Sequence, residues 1–409
     1  MQNIFYPQQR NMRLISQHDL NGFGAVGEGM AMQLCADGRR ILWVAHESAP
    51  KNFSALDVSD PAKPELIVQT ELPHAKVRSN SLEVHGNLMA VAYQVSEPGL
   101  SPAGFDLFDI SNPEKPVLLS HFDASAPHSR GAHCLWFPDG KTIHMACSDP
   151  NLVPRNQKDD QVYRIVDVSD PTNPVALSSW HYPGTMEGDA EAPPRRLAPQ
   201  FDSGFRAHNT NVYPQRPDRC YLAYLDGGAF VMDISDLRAP KPVAHLQYSP
   251  PFNGFTHTLL PLFERGLLVI ADECVQDDGL DWPKLVWLAD MSNEERLVTL
   301  STLPMPPVED FKHRGGRYGA HNVHENTPVP GSWVSEDIII GVFFSGGLRA
   351  YDIRNPYQPK EIGYYVPEAP RGSPVSSVQF NDVFVDDRKY IYVGERHAGG
   401  VYILEMEGL

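Results

Sequence analysis

The sequence lacks a cysteine framework, an excess of basic residues and a long apolar run. Its five cysteines include no C-x-x-C pair, so we expect free thiols rather than disulfides or a thiolate zinc site. A formal net charge of −17 argues against a nucleic-acid partner, because phosphates require a basic surface. No stretch reaches the roughly 18 uninterrupted apolar residues of a membrane span. A small-molecule substrate remains as the expected partner, and the oligomeric state stays open.

The segment MQNIFYPQQRNMRL also lacks the apolar core of a secretory signal, and we expect a cytoplasmic location. Turn-forming residues, in contrast, are abundant: 37 prolines and 31 glycines are spread along the 409 residues. This distribution favours many short strands over long helices.

One segment recurs along the chain, as in FDLFDISNPEKP from Phe105 and YRIVDVSDPTNP from Tyr163. The aspartates shared by its copies are Asp57, Asp109, Asp167, Asp233, Asp290 and Asp352. They are 52 to 66 residues apart, a period that suits a four-stranded propeller blade better than a helical solenoid. The aspartate can bond its own backbone and tighten a turn, and the proline blocks continuation of the ladder. Each copy is therefore predicted to form strand, turn and strand.

Six units carry this segment, and a seventh, SSVQFNDVFVDDRKYIYVGERHAGGVYILEME, stops after its third strand. The N-terminal NMRLISQHDL resembles the fourth-strand segments and is expected to close the ring. We therefore predict an all-β, seven-bladed propeller of four antiparallel strands per blade, in a single domain over 1–409. The predicted blades are 24–73, 74–123, 124–182, 203–248, 252–303, 315–367, and 372–409 together with 10–20.

The repeated segment resembles the LVIVD-repeat family of β-propeller proteins, and the resemblance covers nearly the whole chain. It implies the propeller fold. It implies much less about activity, because propellers host unrelated chemistries. The fifth copy departs most from the pattern, with Asn-Glu-Glu-Arg in place of the proline turn.

Four histidines occupy the same position at the start of the apolar segment that opens a unit. They are His133 in GAHC, His208 in RAHN, His257 in FTHT and His321 in GAHN. Because the first strand of a blade lines the central channel, these side chains are expected to converge on the axis. Imidazole ligands predict a divalent transition metal such as Zn, Mn or Fe. The alternative is that repeat duplication copied a histidine that only bonds a neighbouring blade.

The motif GAHNVHEN places His324 and Glu325 close to His321. Residues three apart on a strand point to opposite faces, so His324 should not share an ion with His321 unless a bulge intervenes. We expect His324 or Glu325 to move a proton, although His324 is about equally suited to bonding an adjacent blade.

Two further groups are candidates for substrate binding. Glu395, Arg396 and His397 form a cluster of mixed charge in GERHAGG after a second strand. Arg317 and Tyr318 lie in the insertion before the sixth blade, and arginine forks match carboxylates.

The polar candidates favour a metal-dependent lyase or hydrolase acting on a small polar or carbonyl-bearing substrate. A non-haem iron oxygenase is the runner-up, because the four histidines are similar in arrangement to the iron site of carotenoid-cleaving oxygenases. A non-catalytic interaction propeller is the third possibility.

Overall fold

Short buried strands joined by turns account for nearly all of the regular structure. The computed structural model describes residues 8–196 and 199–409. Two strands precede the first blade, β1 (Gln8–Arg10) and β2 (Met12–His18). Blade one consists of β3 (Val26–Leu34), β4 (Arg40–His46), β5 (Lys51–Asp57) and β6 (Glu65–Glu71). Blade two consists of β7 (Val77–Arg78), β8 (Leu82–His85), β9 (Leu88–Val95), β10 (Gly104–Asp109) and β11 (Val117–Asp123).

Blades three to five repeat the same order. Blade three consists of β12 (Ala132–Trp136), β13 (Thr142–Ser148), β14 (Gln161–Asp167) and β15 (Val175–Trp180). Blade four consists of β16 (Thr210–Tyr213), β17 (Arg216–Ala223), β18 (Ala229–Asp233) and β19 (Lys241–Leu246). Blade five consists of β20 (Thr256–Leu262), β21 (Leu267–Asp272), β22 (Val286–Asp290) and β23 (Val298–Thr302).

Blades six and seven complete the ring. Blade six contains β24 (Ile338–Val342), β25 (Leu348–Asp352) and β26 (Lys360–Val366). Blade seven contains β27 (Phe380–Val385), β28 (Ile391–Glu395) and β29 (Gly400–Met406). The helical segments in the described ranges are short: Gln157–Asp159, Pro199–Phe201, Phe263–Arg265 and α1 (Val308–Phe311). None of these helices is long or apolar enough to cross a membrane.

The sheet order confirms the predicted seven-bladed propeller of four-stranded antiparallel blades. In blade two the inner position is divided between β7 and β8, which both pair with β9. In blade six the innermost segment is irregular, yet it pairs with β24, since the His321 and His324 amides donate to the carbonyls of Val342 and Ile340 at 3.2 and 2.8 Å. Inner strands of neighbouring blades contact one another around the axis. Residues that open an inner strand therefore face a shared central space.

The ring closes through the N-terminal strand, as the sequence predicts. Strand β2 pairs antiparallel with β29, from Met12 opposite Met406 to His18 opposite Val401. It supplies the fourth strand of blade seven. Strand β1 makes an additional pairing that the sequence did not indicate, with Gln8 opposite Val366 at the outer edge of blade six.

The repeated aspartates form the turns that the sequence predicts. In each of the six copies a carboxylate oxygen accepts the amide N–H two residues further on, at 2.8 to 3.0 Å. Asp290 keeps this bond in the fifth copy, where the proline is missing. This local bond tightens the turn between the third and fourth strands.

Closure of the ring can be tested by shortening the N-terminus. Deleting residues 1–18 leaves the outer edge of β29 unpaired and exposes the apolar surface that the buried Met12 side chain covers. We therefore expect a loss of about 5 kcal/mol or more in unfolding free energy. Urea unfolding measures this loss. Deleting only residues 1–7 is the control, because β1 and β2 remain, and it should be clearly less destabilising than the longer deletion. Equal stability of the two deletions would contradict closure by β2.

Asp226, in the turn before β18, links stability to pH. Its Oδ2 accepts the Ser203 and Gly204 amides at 2.8 and 3.1 Å, while its buried Oδ1 has no partner among the described residues. Burial, which outweighs these bonds, raises the pKa of Asp226 to about 7. The neutral form therefore favours folding, and its contribution is lost as pH rises from about 4 through about 7.

Asp226→Asn should remove this dependence while keeping an oxygen acceptor for both amides. We expect the unfolding free energy of the variant, relative to the unmodified protein, to rise by about 2 to 3 kcal/mol between pH 5 and pH 8. Urea titrations at several pH values measure the difference. A difference that stays constant with pH would show that Asp226 is ionised in the folded protein throughout.

Candidate metal centre

Each of the four predicted histidines lies at a β-bulge in the inner segment of its blade. In blades three and five the ladder register shifts between Ala132 and Cys134 and between Thr256 and Thr258. Blades four and six have the same geometry in their hydrogen bonds. The His208 amide donates to the Ala223 carbonyl, and the Ala223 amide donates to the Asn209 carbonyl, each at 2.9 Å. A bulge redirects a side chain, and here it turns four imidazoles towards the axis.

The four Nε2 atoms face one another across the axis. The Nε2 atoms of His133 and His208 are 2.7 Å apart. The ring centroids of His208 and His257 are 3.8 Å apart, and those of His257 and His321 are 4.6 Å apart. The four rings therefore follow one another around the axis, each in contact with the next.

The opposite nitrogen of each imidazole is held by an oxygen acceptor. Nδ1 of His133 contacts Gln94 Oε1 at 2.9 Å, and Nδ1 of His208 contacts Asn209 Oδ1 at 2.8 Å. Nδ1 of His257 contacts Thr258 Oγ1 at 2.7 Å, and Nδ1 of His321 contacts the Asn381 carbonyl at 2.5 Å. The Gln94 oxygen also accepts from Arg78, which identifies it as an acceptor. The Asn209 side-chain oxygen and the Asn381 carbonyl can only accept, so Nδ1 of His208 and of His321 carries the proton and the Nε2 lone pair of each is directed at the axis.

Two carboxylates, Glu28 and Glu273, complete the cluster. A Glu28 oxygen lies 3.4 to 3.7 Å from Nε2 of every one of the four histidines. Glu273 lies 3.8 Å from His257 Nε2 and 3.5 Å from His321 Nε2. The donor atoms of Glu28, His208 and His257, and those of His257, Glu273 and His321, are close enough to share an ion. The candidate centre therefore contains four imidazoles and two carboxylates, and within it each of these two sets of three has donor atoms within reach of one ion.

Sequence reasoning missed both carboxylates, although signals for them exist. Glu28 occupies blade one's equivalent of the histidine position, immediately before the GMAMQLC segment. Its blade also has an irregular register there, between Val26 and Met30. Glu273 follows the second strand of blade five, in a position that resembles an ordinary turn.

Burial keeps most of the imidazoles uncharged. Burial and neighbouring histidines lower the pKa of His133 and His321 well below the ordinary value, and they lower that of His208 to about 3. His257 is the exception, because Glu28 and Glu273 outweigh its burial and raise its pKa. Burial acts to raise the pKa of Glu28, but the surrounding histidines hold it well below its usual range. Neutral imidazoles beside an ionised carboxylate form a donor set that suits a transition metal.

Some polar atoms of the cluster have no partner. Glu28 Oε2, His257 Nε2 and His321 Nε2 are buried, and none of them has a hydrogen-bond partner within the described ranges. Each such group costs about 1 to 3 kcal/mol if left unsatisfied. A cation at the axis would satisfy all of these atoms together.

A cavity of about 310 Å³ opens onto the cluster. Glu28, His133 and Glu273 form part of its wall. Its cationic lining residues are Arg78, Arg130, Lys158, Arg206, Arg317 and Arg396. A small polar molecule bound here would touch both the candidate centre and several guanidinium groups.

Two of the predicted substrate-binding residues line this cavity. Arg317 donates to Glu273 Oε1 at 2.6 Å, and Arg396 donates to Glu47 Oε1 at 2.6 Å. Both are held in place by carboxylates, with the cavity on one side.

The other three predicted substrate-binding residues do not form part of the cavity wall. Glu395 Oε2 accepts the amides of residues 397, 398 and 399 and so organises a tight turn. His397 lies in that turn, and burial lowers its pKa. Tyr318 is fully buried and donates its hydroxyl hydrogen to the Pro306 carbonyl.

The structure also separates the two predicted proton-transfer residues from the cavity. Glu325 Oε1 accepts from the Asn209 and Asn211 amides, each at 2.7 Å, deeper in the channel. His324 points between blades: Nε2 donates to the Trp333 carbonyl at 2.7 Å, and Nδ1 accepts the Val385 amide at 3.2 Å. Neither His324 nitrogen is left free for a substrate, which matches the alternative of bonding an adjacent blade.

Comparisons with known proteins support the architecture. The LVIVD repeat model matches residues 99–124 and 160–181, which lie in blades two and three. No curated protein matches the chain. The β-propeller domain of Myceliophteria thermophila Cps50 (Swd1) is similar in structure, with a TM-score of 0.54 and 13% identity over 92% of this chain and 96% of that chain. At this identity the likeness concerns the fold alone.

Proposed function

We propose that this LVIVD-repeat β-propeller protein is a metal-dependent lyase or hydrolase that acts on a small polar or carbonyl-bearing substrate. The observation that carries the proposal is the orientation of four imidazoles, each with Nδ1 bonded to an oxygen and Nε2 directed at the axis. This arrangement is typical of metal-ligating histidines, whose second nitrogen fixes ring orientation and tautomer.

The donor set favours a metal with a coordination number above four. Four imidazoles would already fill the tetrahedral shell that zinc prefers. With Glu28 as a fifth ligand, six-coordinate iron or manganese would keep a position for substrate or water. We therefore rank Fe and Mn above Zn. When bound, such an ion supplies Lewis acidity that polarises a carbonyl or acidifies water.

Glu273 is the residue of this chain best placed to move a proton. Its carboxylate lies at the cavity wall, within 3.5 to 3.8 Å of His321 and His257, and it accepts a hydrogen bond from Arg317. A base there would face any substrate in the cavity. We therefore assign proton transfer to Glu273 rather than to Glu325 or His324, which lie outside the wall.

Two other functions remain as alternatives. The four-imidazole set itself favours a non-haem iron oxygenase, because imidazole also suits iron that binds dioxygen. A non-catalytic interaction propeller would leave the unpartnered Nε2 atoms of His257 and His321 without a compensating interaction. We rank that alternative last for this reason.

Metal binding is tested by elemental analysis of protein purified without chelator. We expect about one transition-metal ion per chain, and at least a tenfold loss of metal affinity in His208→Ala and in His321→Ala. His324→Gln is the matched control, since it removes a buried histidine of the same inner segment that lies outside the cluster. Metal-free protein that also fails to take up Fe, Mn or Zn would contradict the proposal, as would full retention in both alanine variants.

The reaction class is tested on the loaded protein with a panel of small hydroxy and keto carboxylic acids. A lyase or hydrolase should convert a panel member without oxygen uptake, and Glu273→Gln should slow the conversion by at least about 100-fold while metal content is kept. Oxygen uptake coupled to substrate loss in the iron form would instead support the oxygenase.

A further inference from the structure

The cavity beside the candidate centre has an unbalanced set of charges. Six cationic side chains line it, against the carboxylates of Glu28, Glu273 and Asp202. Two more carboxylates, Glu47 and Asp160, lie behind the wall and pair with lining arginines. Six positive charges thus face five negative ones, which leaves a surplus of one positive charge.

Arg206 is the one of the six lining cations that forms no ion pair in the described part of the chain. Arg78 and Arg396 share Glu47, Arg130 forms a two-point pair with Asp160, and Arg317 pairs with Glu273. Lys158 lies 3.5 Å from Asp202. These pairs account for every lining cation except Arg206.

Arg206 itself contacts only neutral acceptors in the described part of the chain. Its Nη1 donates to Gln161 Oε1, and its Nε donates to the Ser203 carbonyl at 3.1 Å. No carboxylate there lies within ion-pair distance of it. An arginine guanidinium stays charged at neutral pH. A partly buried, charged guanidinium without a counter-ion is poised for an anionic ligand.

We infer that Arg206, together with the adjacent Arg130 and Arg78, binds the carboxylate of a monoanionic substrate in the cavity beside the histidine cluster. The inference rests on the proposed function, whose substrate class it specifies. In the metal-free protein one guanidinium without an ion-pair partner matches one carboxylate, and the proposed divalent ion would add to this attraction. The guanidinium fork of Arg206 can donate two parallel hydrogen bonds to that carboxylate. The remainder of the substrate would then lie towards Glu28, His133 and Glu273.

The test uses acetate as the probe and acetamide as its neutral counterpart of similar shape. Saturation-transfer NMR titrations on the metal-free full-length protein, in a buffer without carboxylate or phosphate, measure both dissociation constants. We expect acetate to bind at least tenfold more tightly than acetamide. Inorganic phosphate, tested in competition, should displace acetate only weakly.

Arg206→Gln should weaken acetate binding at least tenfold without changing metal content. Arg13→Gln is the control, because it removes the same charge from the exposed face of β2, and it should bind acetate normally. If Arg206→Gln does not fold, Arg206→Lys serves instead: it keeps the charge but loses the fork, and should still weaken acetate binding measurably.

Three results would overturn the inference: acetate binding that is equal in the Arg206 variants and the unmodified protein, acetate that binds only after metal loading, or acetamide that binds as tightly as acetate. If the competition titration gives phosphate a lower dissociation constant than acetate, the choice of a monoanion is overturned. Each of these results can be distinguished from a failure to bind metal, because metal binding is measured on the same proteins without acetate. Normal metal binding with no acetate binding would leave the proposed function standing.

Discussion

The β-bulge at the start of the inner segments is the constraint on which the centre depends. An ordinary strand would send alternate side chains to the two faces of its blade, where they meet neighbouring blades. The bulge gives one residue per blade a different direction, along which His133, His208, His257 and His321 reach the axis. Because the blades of a propeller are arranged around one axis, side chains that leave each blade in this direction meet there. The cluster therefore follows from a local backbone irregularity repeated by the fold.

The buried polar atoms of the cluster are held in place because hydrogen bonds join the polar groups around it from one blade to the next. Asn209 contacts blade three through the Cys134 thiol, Thr258 donates towards Asn322, and Asn381 contacts His321 on one side and the Val26 and Gly27 carbonyls on the other. These bonds fix imidazole orientation and join adjacent inner strands at the same time. The same hydrogen bonds therefore hold the inner strands together and fix the directions of the imidazoles. Closure of the ring by β2 keeps the inner strands in this arrangement.

The fold was accessible from the sequence because its signal is local and repeated. The turn that begins with the shared aspartate recurs six times, five times as Asp-x-Ser and once as Asp-x-Arg, and each copy needs only its own residues to form. The four histidines were accessible for the same reason. Glu28 was not, because blade one has a different residue at the shared position, and neither was Glu273, which reaches the axis from a different strand. The surroundings of His324 and Tyr318 were not accessible either, because sequence spacing does not reveal which nitrogen or hydroxyl is already bonded to main chain.

The two sides of the candidate centre carry different residues, because the residues before and after each histidine lie on opposite sides of it. Along the inner segments an arginine precedes the histidine by two to four residues, as in Arg130, Arg206 and Arg317. Carboxyl groups lie further along, where burial and mutual repulsion raise the pKa of Glu83, Glu325 and Asp382. Carboxyls with raised pKa values tend to be neutral and contribute little field, whereas the arginines stay charged. An anion is therefore attracted from the arginine side, and a metal ion held by the cluster would have to be reached from that side.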